Sequence, residues 1–152
     1  MKEKESLLNS AVDRALLVLE CISKKQSGIT LANLAKELDI PKSTLHRILE
    51  TLKQRDFIEI IPDTEKYLIG LKAIEIGFSG VNNIEIVDIA SHYLKNIAKK
   101  TGETTFLGVQ NEGKVVYLYK AEGVHAIRTT AVLGSRCDMY ATGLGKAILS
   151  GL

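Results

Sequence analysis

"LANLAKELDIPKSTLHRILETL", residues 31–52, constrains this chain more than any other stretch. Leu31, Leu34, Ala35 and Leu38 fall on one face of a short helix. Thr30 stands just ahead, where a hydroxyl can accept an orphan amide and cap that helix. Asp39 and Ile40 then make a tight turn, and Pro41 suits the first turn of a third helix, where a missing N–H costs little. Leu45, Ile48, Leu49 and Leu52 supply the buried stripe of that helix. Two short amphipathic helices joined by so small a turn predict a helix-turn-helix.

The flanks extend the pattern. Residues 1–9 are charged and read as a loose arm. Ser10 opens a first helix over "AVDRALLVLECI", in which Val12, Leu16, Leu19 and Ile22 recur at helical spacing, and "KKQSG" ends it with Gly28 as breaker. After the third helix, "FIEII" and "KYLIG" read as two strands around "PDTE", the shape called a wing. Residues 10–70 are therefore expected to form a winged helix-turn-helix.

Residues 71–83 read as a linker: "LKAIEIGFSG" is a short helix weakened by Gly77 and Gly80. From about Ile84 to Lys100 a longer amphipathic helix follows, with Val87, Ala90, Leu94 and Ile97 as its inner stripe and Gly102 just past its end. "TTFLGVQ" and "KVVYLYKA" flank "NEG" as a hairpin, "AIRTTAVL" is a third expected strand, and "YATGLGKAILSGL" ends helical. Three strands and one long helix make a poor complete core, so 84–152 is expected to be the first part of a second domain whose last helix is cut by the chain end. The expected fold class is α+β.

Composition sets limits. Of 152 residues, 45% are hydrophobic and 25% charged, ordinary for a soluble globular protein. A net charge of +2 names no partner. Locally, residues 41–55 carry Lys42, Arg47, Lys53 and Arg55 against Glu50 alone. Cys21 and Cys137 lie far apart without metal-ligand spacing, so neither zinc site nor disulfide is indicated, and reduced thiols in the cytoplasm are the default. There is no signal-peptide pattern and no apolar run of membrane-spanning length. Nucleotide-binding glycine motifs, H-x-x-x-H and a Ser/His/Asp order are all missing, so no enzyme chemistry and no cofactor are expected.

The third helix turns Lys42, Ser43, Thr44, His46 and Arg47 away from its leucines. An α-helix fits the DNA major groove and leads with its N-terminal residues. Arg47 can grip guanine O6 and N7 or clamp a phosphate, Lys42 favours phosphate with the help of backbone N–H groups at the helix start, and Ser43 and Thr44 reach either. His46 either joins them or simply faces water. Thr30 serves as a cap that lies near a phosphate. Lys66, on the wing, either reaches the DNA backbone or is an exposed hairpin lysine. Arg14 is open between packing, ion pairing and a dimer contact. In the second half, "TGLGKA" puts small residues and free amides at a helix start, suited to an anionic ligand or needed only for a tight turn.

The segments "SAVDRALLVLE", "LANLAKELDIPKSTLHRILETL", "YLIGLKAIEIG", "TGETTFLGV" and "LGSRCDMYATGLGKAIL", in this order and spacing, resemble the IclR family of bacterial transcriptional regulators. The resemblance spans nearly all of residues 9–152. It implies a winged helix-turn-helix, a linker helix and a GAF/PAS-like α/β effector domain, here incomplete. It further implies a homodimer or homotetramer on double-stranded operator DNA, repressor-type regulation, and a small organic effector, an acid or an aromatic. Gly143 and Leu144 would border the effector pocket, with Cys137 and Thr129 near its wall. Asp39 stands where the family often has Gly, and Asp138 and Tyr140 depart where it often has Pro and a small residue or His. Two rival readings are a winged-helix module for protein partners and a truncated regulator without effector response.

Overall fold

The computed structural model describes residues 9–125 and 131–151. The chain divides into two compact units, Met1–Phe78 and Ser79–Leu152.

The first unit runs α1 (Ser10–Ser23), β1 (Ile29–Thr30), α2 (Leu31–Leu38), α3 (Lys42–Gln54), β2 (Ile58–Ile61) and β3 (Lys66–Ile69). Its antiparallel sheet has the order β1-β3-β2. β1 is the element the sequence does not announce: two residues are too few to show alternation. Ile29 pairs with Tyr67 and Thr30 with Lys66. Gly28 makes this approach possible at φ +74°, since an added Cβ would stand 3.0 Å from Lys66 Cβ and 3.1 Å from the Tyr67 carbonyl. Val18, Ile22, Leu34, Leu45, Leu49 and Ile58 are fully buried and bind the three helices to the sheet. Each contributes about 1.5–3 kcal/mol of transfer free energy.

Two helix starts differ from expectation. Asn9, one residue before Ser10, caps α1: its Oδ1 accepts the amides of Ala11 at 3.1 Å and Val12 at 3.4 Å. Pro41 occupies the N-cap of α3 instead of its first turn. The apolar face of α1 is also corrected. Val18, Cys21 and Ile22 go inward, whereas Val12 is 55% and Leu16 53% exposed. α1 is apolar on more than one side, so periodicity alone could not choose the packed face.

α4 (Leu71–Asn82) is helical throughout the expected linker, and none of its residues is buried.

The second unit runs α5 (Glu85–Thr101), β4 (Thr105–Asn111), β5 (Lys114–Ala121), β6 (Arg136–Asp138), a 3-10 turn at Met139–Ala141 and α6 (Gly143–Leu149). The antiparallel sheet has the order β4-β5-β6. α5 begins with Glu85 and Asp88, ends with Lys99 and Lys100, and stops at left-handed Gly102, whose N–H reaches the Ala98 carbonyl at 2.8 Å. Its buried residues are Val87 and Ala98, with Ala90 and Leu94 half-buried, and the expected Ile97 is exposed.

The expected third strand falls mostly outside the described residues. Of "AIRTTAVL", residues 126–130 lie outside the described ones, and 131–133 carry no strand. "RCD" takes the third place. Its charged residues find partners beside the hairpin, Lys114 with Asp138 at 2.9 Å and Arg136 with Glu112 at 3.3 Å, which is why an unpromising tripeptide is a strand. α6 runs over Gly143–Leu149 with Ser150 as its C-cap.

Candidate nucleic-acid interface

The geometry begins at the turn between α2 and α3. Asp39 ends α2 in the left-handed region, φ 52° and ψ 40°, a conformation Asp tolerates better than most residues. The chain reverses at once, and α3 starts at Lys42. Pro41 offers no side-chain cap. The first bonds of α3 run from the Thr44 and Leu45 amides to the Pro41 carbonyl, both at 3.0 Å. The amides of Lys42 and Ser43 are thus orphan donors at the positive end of a 13-residue helix. The sequence carries the signal for this: "IP" stands where a capping Ser, Thr, Asp or Asn would be.

Leu45, Leu49 and Leu52 anchor α3 in the core. Lys42, Ser43, His46 and Arg47 are exposed on its other side and Thr44 is half-buried. Thr51 donates its hydroxyl to the Arg47 carbonyl at 2.9 Å. Among the described residues, Lys42, Arg47, Lys53, Arg55 and Lys66 have no ion-pair partner in the chain. Their charge is available to an outside anion. Arg14 is likewise exposed and outside every ion pair among the described residues.

Thr30 Oγ1 accepts the Asn33 amide at 3.4 Å and so caps α2. Its backbone pairs with half-buried Lys66, so the cap and the wing share one sheet. An apolar groove of about 710 Å³ runs between α1 and α3, lined by Val12, Leu16, Leu19 and Ile48 together with Ser43, Thr44 and Arg47.

In the second unit, Gly143 is exposed, Leu144 and Cys137 are half-buried, and Thr129 lies outside the described residues. Leu144 packs on Gly108 of β4, where an added Cβ would stand 2.6 Å from Leu144 Cδ2. Cys137 Sγ lies 3.5 Å from the Tyr117 hydroxyl and 3.9 Å from Thr142 Oγ1. The hydrogen bond with Cys137, then burial, pushes the Tyr117 phenol up. Thr142 caps α6 by accepting the Gly145 amide at 3.0 Å, so one of the supposedly free amides is already used. A cleft of about 440 Å³ lies elsewhere, between Lys95, Lys99 and the Tyr119–Glu122 end of β5. Among the described residues no group of three His, Cys, Asp or Glu could hold a metal, and no helix is long and apolar enough to cross a membrane.

A three-helix core, a left-handed turn, an outward polar helix start and a hairpin beside it define a winged helix-turn-helix protein. The IclR helix-turn-helix domain matches residues 11–60, and the C-terminal domain of bacterial transcriptional regulator IclR matches residues 78–152. The chain belongs to the IclR family, whose members are transcriptional regulators. It is similar to the regulator BhcR of Paracoccus denitrificans, 36% identical over 140 residues that cover 92% of this chain and 50% of BhcR. It is also similar to the solved IclR of Thermotoga maritima, 30% identical with a TM-score of 0.70, covering 91% of this chain and 56% of that one. An IclR homolog from Microbacterium hydrocarbonoxydans, solved in complex with 4-hydroxybenzoate, shares the fold at a TM-score of 0.81 and 21% identity, over 93% of this chain and 58% of that one. The chain spans about half the length of the curated relatives it matches, 50% of one and 56% of another.

Proposed function

We propose that this chain is a sequence-specific DNA-binding regulator that reads operator DNA with α3. One observation carries the reading: Lys42, Ser43, His46 and Arg47 stand exposed on α3 directly over the buried Leu45 and Leu49. Arg47 reads a base edge in the major groove. Lys42 and the orphan amides beside it hold a phosphate, with Ser43, Thr44 and His46 completing the face. Thr30 and Lys66 steady the backbone on either side. Residues 10–70 form the reading domain, 71–83 the linker and 84–152 part of the effector domain.

Two copies pair through the exposed apolar residues of α1 and α4, among them Val12, Leu16, Leu71 and Phe78, and match a two-fold operator. The family relationship, and the neighbour bound to 4-hydroxybenzoate, support a small organic acid or aromatic as effector of the whole protein. Gly143, Leu144, Cys137 and Thr129 are the proposed pocket residues. The effector acts by binding one arrangement of the paired readers better than another, as a repressor's switch requires. The protein works in the cytoplasm without catalysis.

The test is selection of bound fragments from a genomic DNA library at physiological salt, with the parent and Arg47→Ala in parallel. A two-fold motif enriched by the parent and lost in the variant is the expected result. No enrichment by a folded parent overturns the reading.

A further inference from the structure

The end of α3 and the start of α4 are bonded to each other through backbone. α3 closes in a Schellman turn, with Asp56 in the left-handed region at φ 57°. The Asp56 N–H reaches the Lys53 carbonyl at 3.0 Å and the Phe57 N–H the Leu52 carbonyl at 2.9 Å. α4 begins against that turn. The Gly70 N–H donates to the Phe57 carbonyl at 2.8 Å, continuing the ladder in which Ile58 pairs with Ile69. The Lys72 N–H donates to the Asp56 carbonyl at 3.1 Å. Amides in the first turn of a helix have no acceptor within it, so the end of α3 supplies what the start of α4 lacks.

Gly70 is what lets the two meet. It is buried, and it is not among the glycines at positive φ, so space rather than backbone freedom calls for glycine. An added Cβ would overlap the Asp56 carbonyl oxygen and stand 3.0 Å from both the Asp56 carbonyl carbon and the Ile58 nitrogen. All three are backbone atoms, fixed by the Schellman turn and by β2, and cannot step aside as a side chain does.

We propose that Gly70 is a positioning residue: it locks the aim of α4 onto the end of the reading helix and so fixes how far apart two paired readers stand on DNA. The proposal rests on the reading of α3 as the DNA reader and on pairing through α1 and α4. The 12 residues of α4 span about 18 Å. A swing of about 20° at its start carries its far end about 6 Å, close to two base-pair steps. A locked start therefore permits one spacing of the half-sites, and a loose start permits many. Gly70 acts through α3 and touches no DNA in this role.

Two measurements on the full chain test this, with circular dichroism to show that every variant is folded. The variants are Gly70→Ala and an insertion of Gly-Ser between Gly70 and Leu71, which leaves the sequence of the reader intact. Amide hydrogen exchange reads the lock without DNA. The Lys72 amide is expected to be protected in the parent and to exchange several-fold faster in both variants. A parental Lys72 amide that exchanges like any free helix-start amide overturns the lock, and unchanged exchange in Gly70→Ala overturns the role of Gly70. Binding to a single half-site, and to two-fold operators whose half-sites are moved apart by up to about five base pairs, half a helical turn, reads the consequence. The parent is expected to favour one spacing and to lose affinity several-fold at the others. Both variants should keep the parental half-site affinity and bind all spacings alike. A flat profile in the parent, or the parental profile in the insertion variant, overturns the spacing role. Loss of half-site affinity in both variants means that the change damages the reader itself, and also overturns it. No half-site binding by the folded parent overturns the reading of α3 instead, and exchange at Lys72 still decides the lock.

Discussion

Thr30 and Lys66 are cross-strand partners, and that pairing makes the N-cap of α2 and the wing one piece of backbone. The two side chains then take separate duties. Thr30→Ala removes the cap and is expected to cost about 0.5–2 kcal/mol, read as a lower urea midpoint, with Thr30→Ser close to the parent. Lys66→Ala leaves the midpoint in place and lowers affinity alike for all DNA sequences. It also flattens the slope of log affinity against log salt by about one. An unchanged salt slope would make Lys66 an ordinary hairpin lysine.

Gly143 and Gly145 sit two residues apart and have opposite tolerances. A Cβ on Gly145 would stand 2.0 Å from the Met139 carbonyl oxygen, and backbone cannot step aside as a flexible side chain does. A Cβ on Gly143 meets nothing within 4 Å. Gly145→Ala is expected to destabilise the second unit by about 1–3 kcal/mol. Gly143→Ala, at the start of α6, should instead stabilise it by a few tenths up to about 1 kcal/mol. Thermal unfolding of the two variants side by side checks both signs.

Lys25, just past the end of α1, and Glu37 of α2 are paired at 2.9 Å. The hydrogen bond from Lys25 holds the Glu37 carboxyl below its ordinary range, and the same bond holds Lys25 above its own. For Glu37 the contribution is complete above the ordinary carboxylate range and is lost as pH falls through the lowered value. For Lys25 it is complete below the ordinary ammonium range and is lost as pH rises through the raised value. Both groups face solvent, so the effect is small. Glu37→Gln should flatten the acid limb of the urea midpoint against pH and should also remove the alkaline drift.

Leu45 is fully buried beneath the exposed His46 and Arg47. Leu45→Ala is expected to cost about 2–5 kcal/mol, because the rigid neighbours only partly close the cavity. DNA binding by the fraction still folded should keep its motif, whereas Arg47→Ala should lose the motif with stability unchanged. Comparing the two variants separates folding of α3 from reading by it.

The helix-turn-helix was legible because its signals agree. Thr30 is a cap, Asp39 tolerates the left-handed turn, Pro41 forbids continuation, and the leucines of α3 lie on one face. Where two faces of a helix are apolar, the sequence is silent about which one packs, and so Val12, Leu16 and Ile97 stand exposed although each recurs at helical spacing. Strands held by edge pairing were invisible. Ile29–Thr30 is too short for a period, and Arg136–Asp138 looks like surface until Lys114 and Glu112 are brought beside it by folding. The polar face of α3 was readable residue by residue. The free amides at its start were readable too, because every helix start leaves such donors and Pro41 has no side chain to cap them.

β3 lies in the middle of its sheet only because Ile29 and Thr30 cover one side of it. A fragment transplanted from Leu31 onward would carry both helices of the reading motif and still expose that side as bare strand. Bare strands recruit other chains. It would also lack Val18, Cys21 and Ile22, which close the core from α1. The smallest portable version of this reader therefore starts at Asn9, with the α1 cap, and a graft cut at the conventional motif boundary is expected to precipitate before it meets DNA.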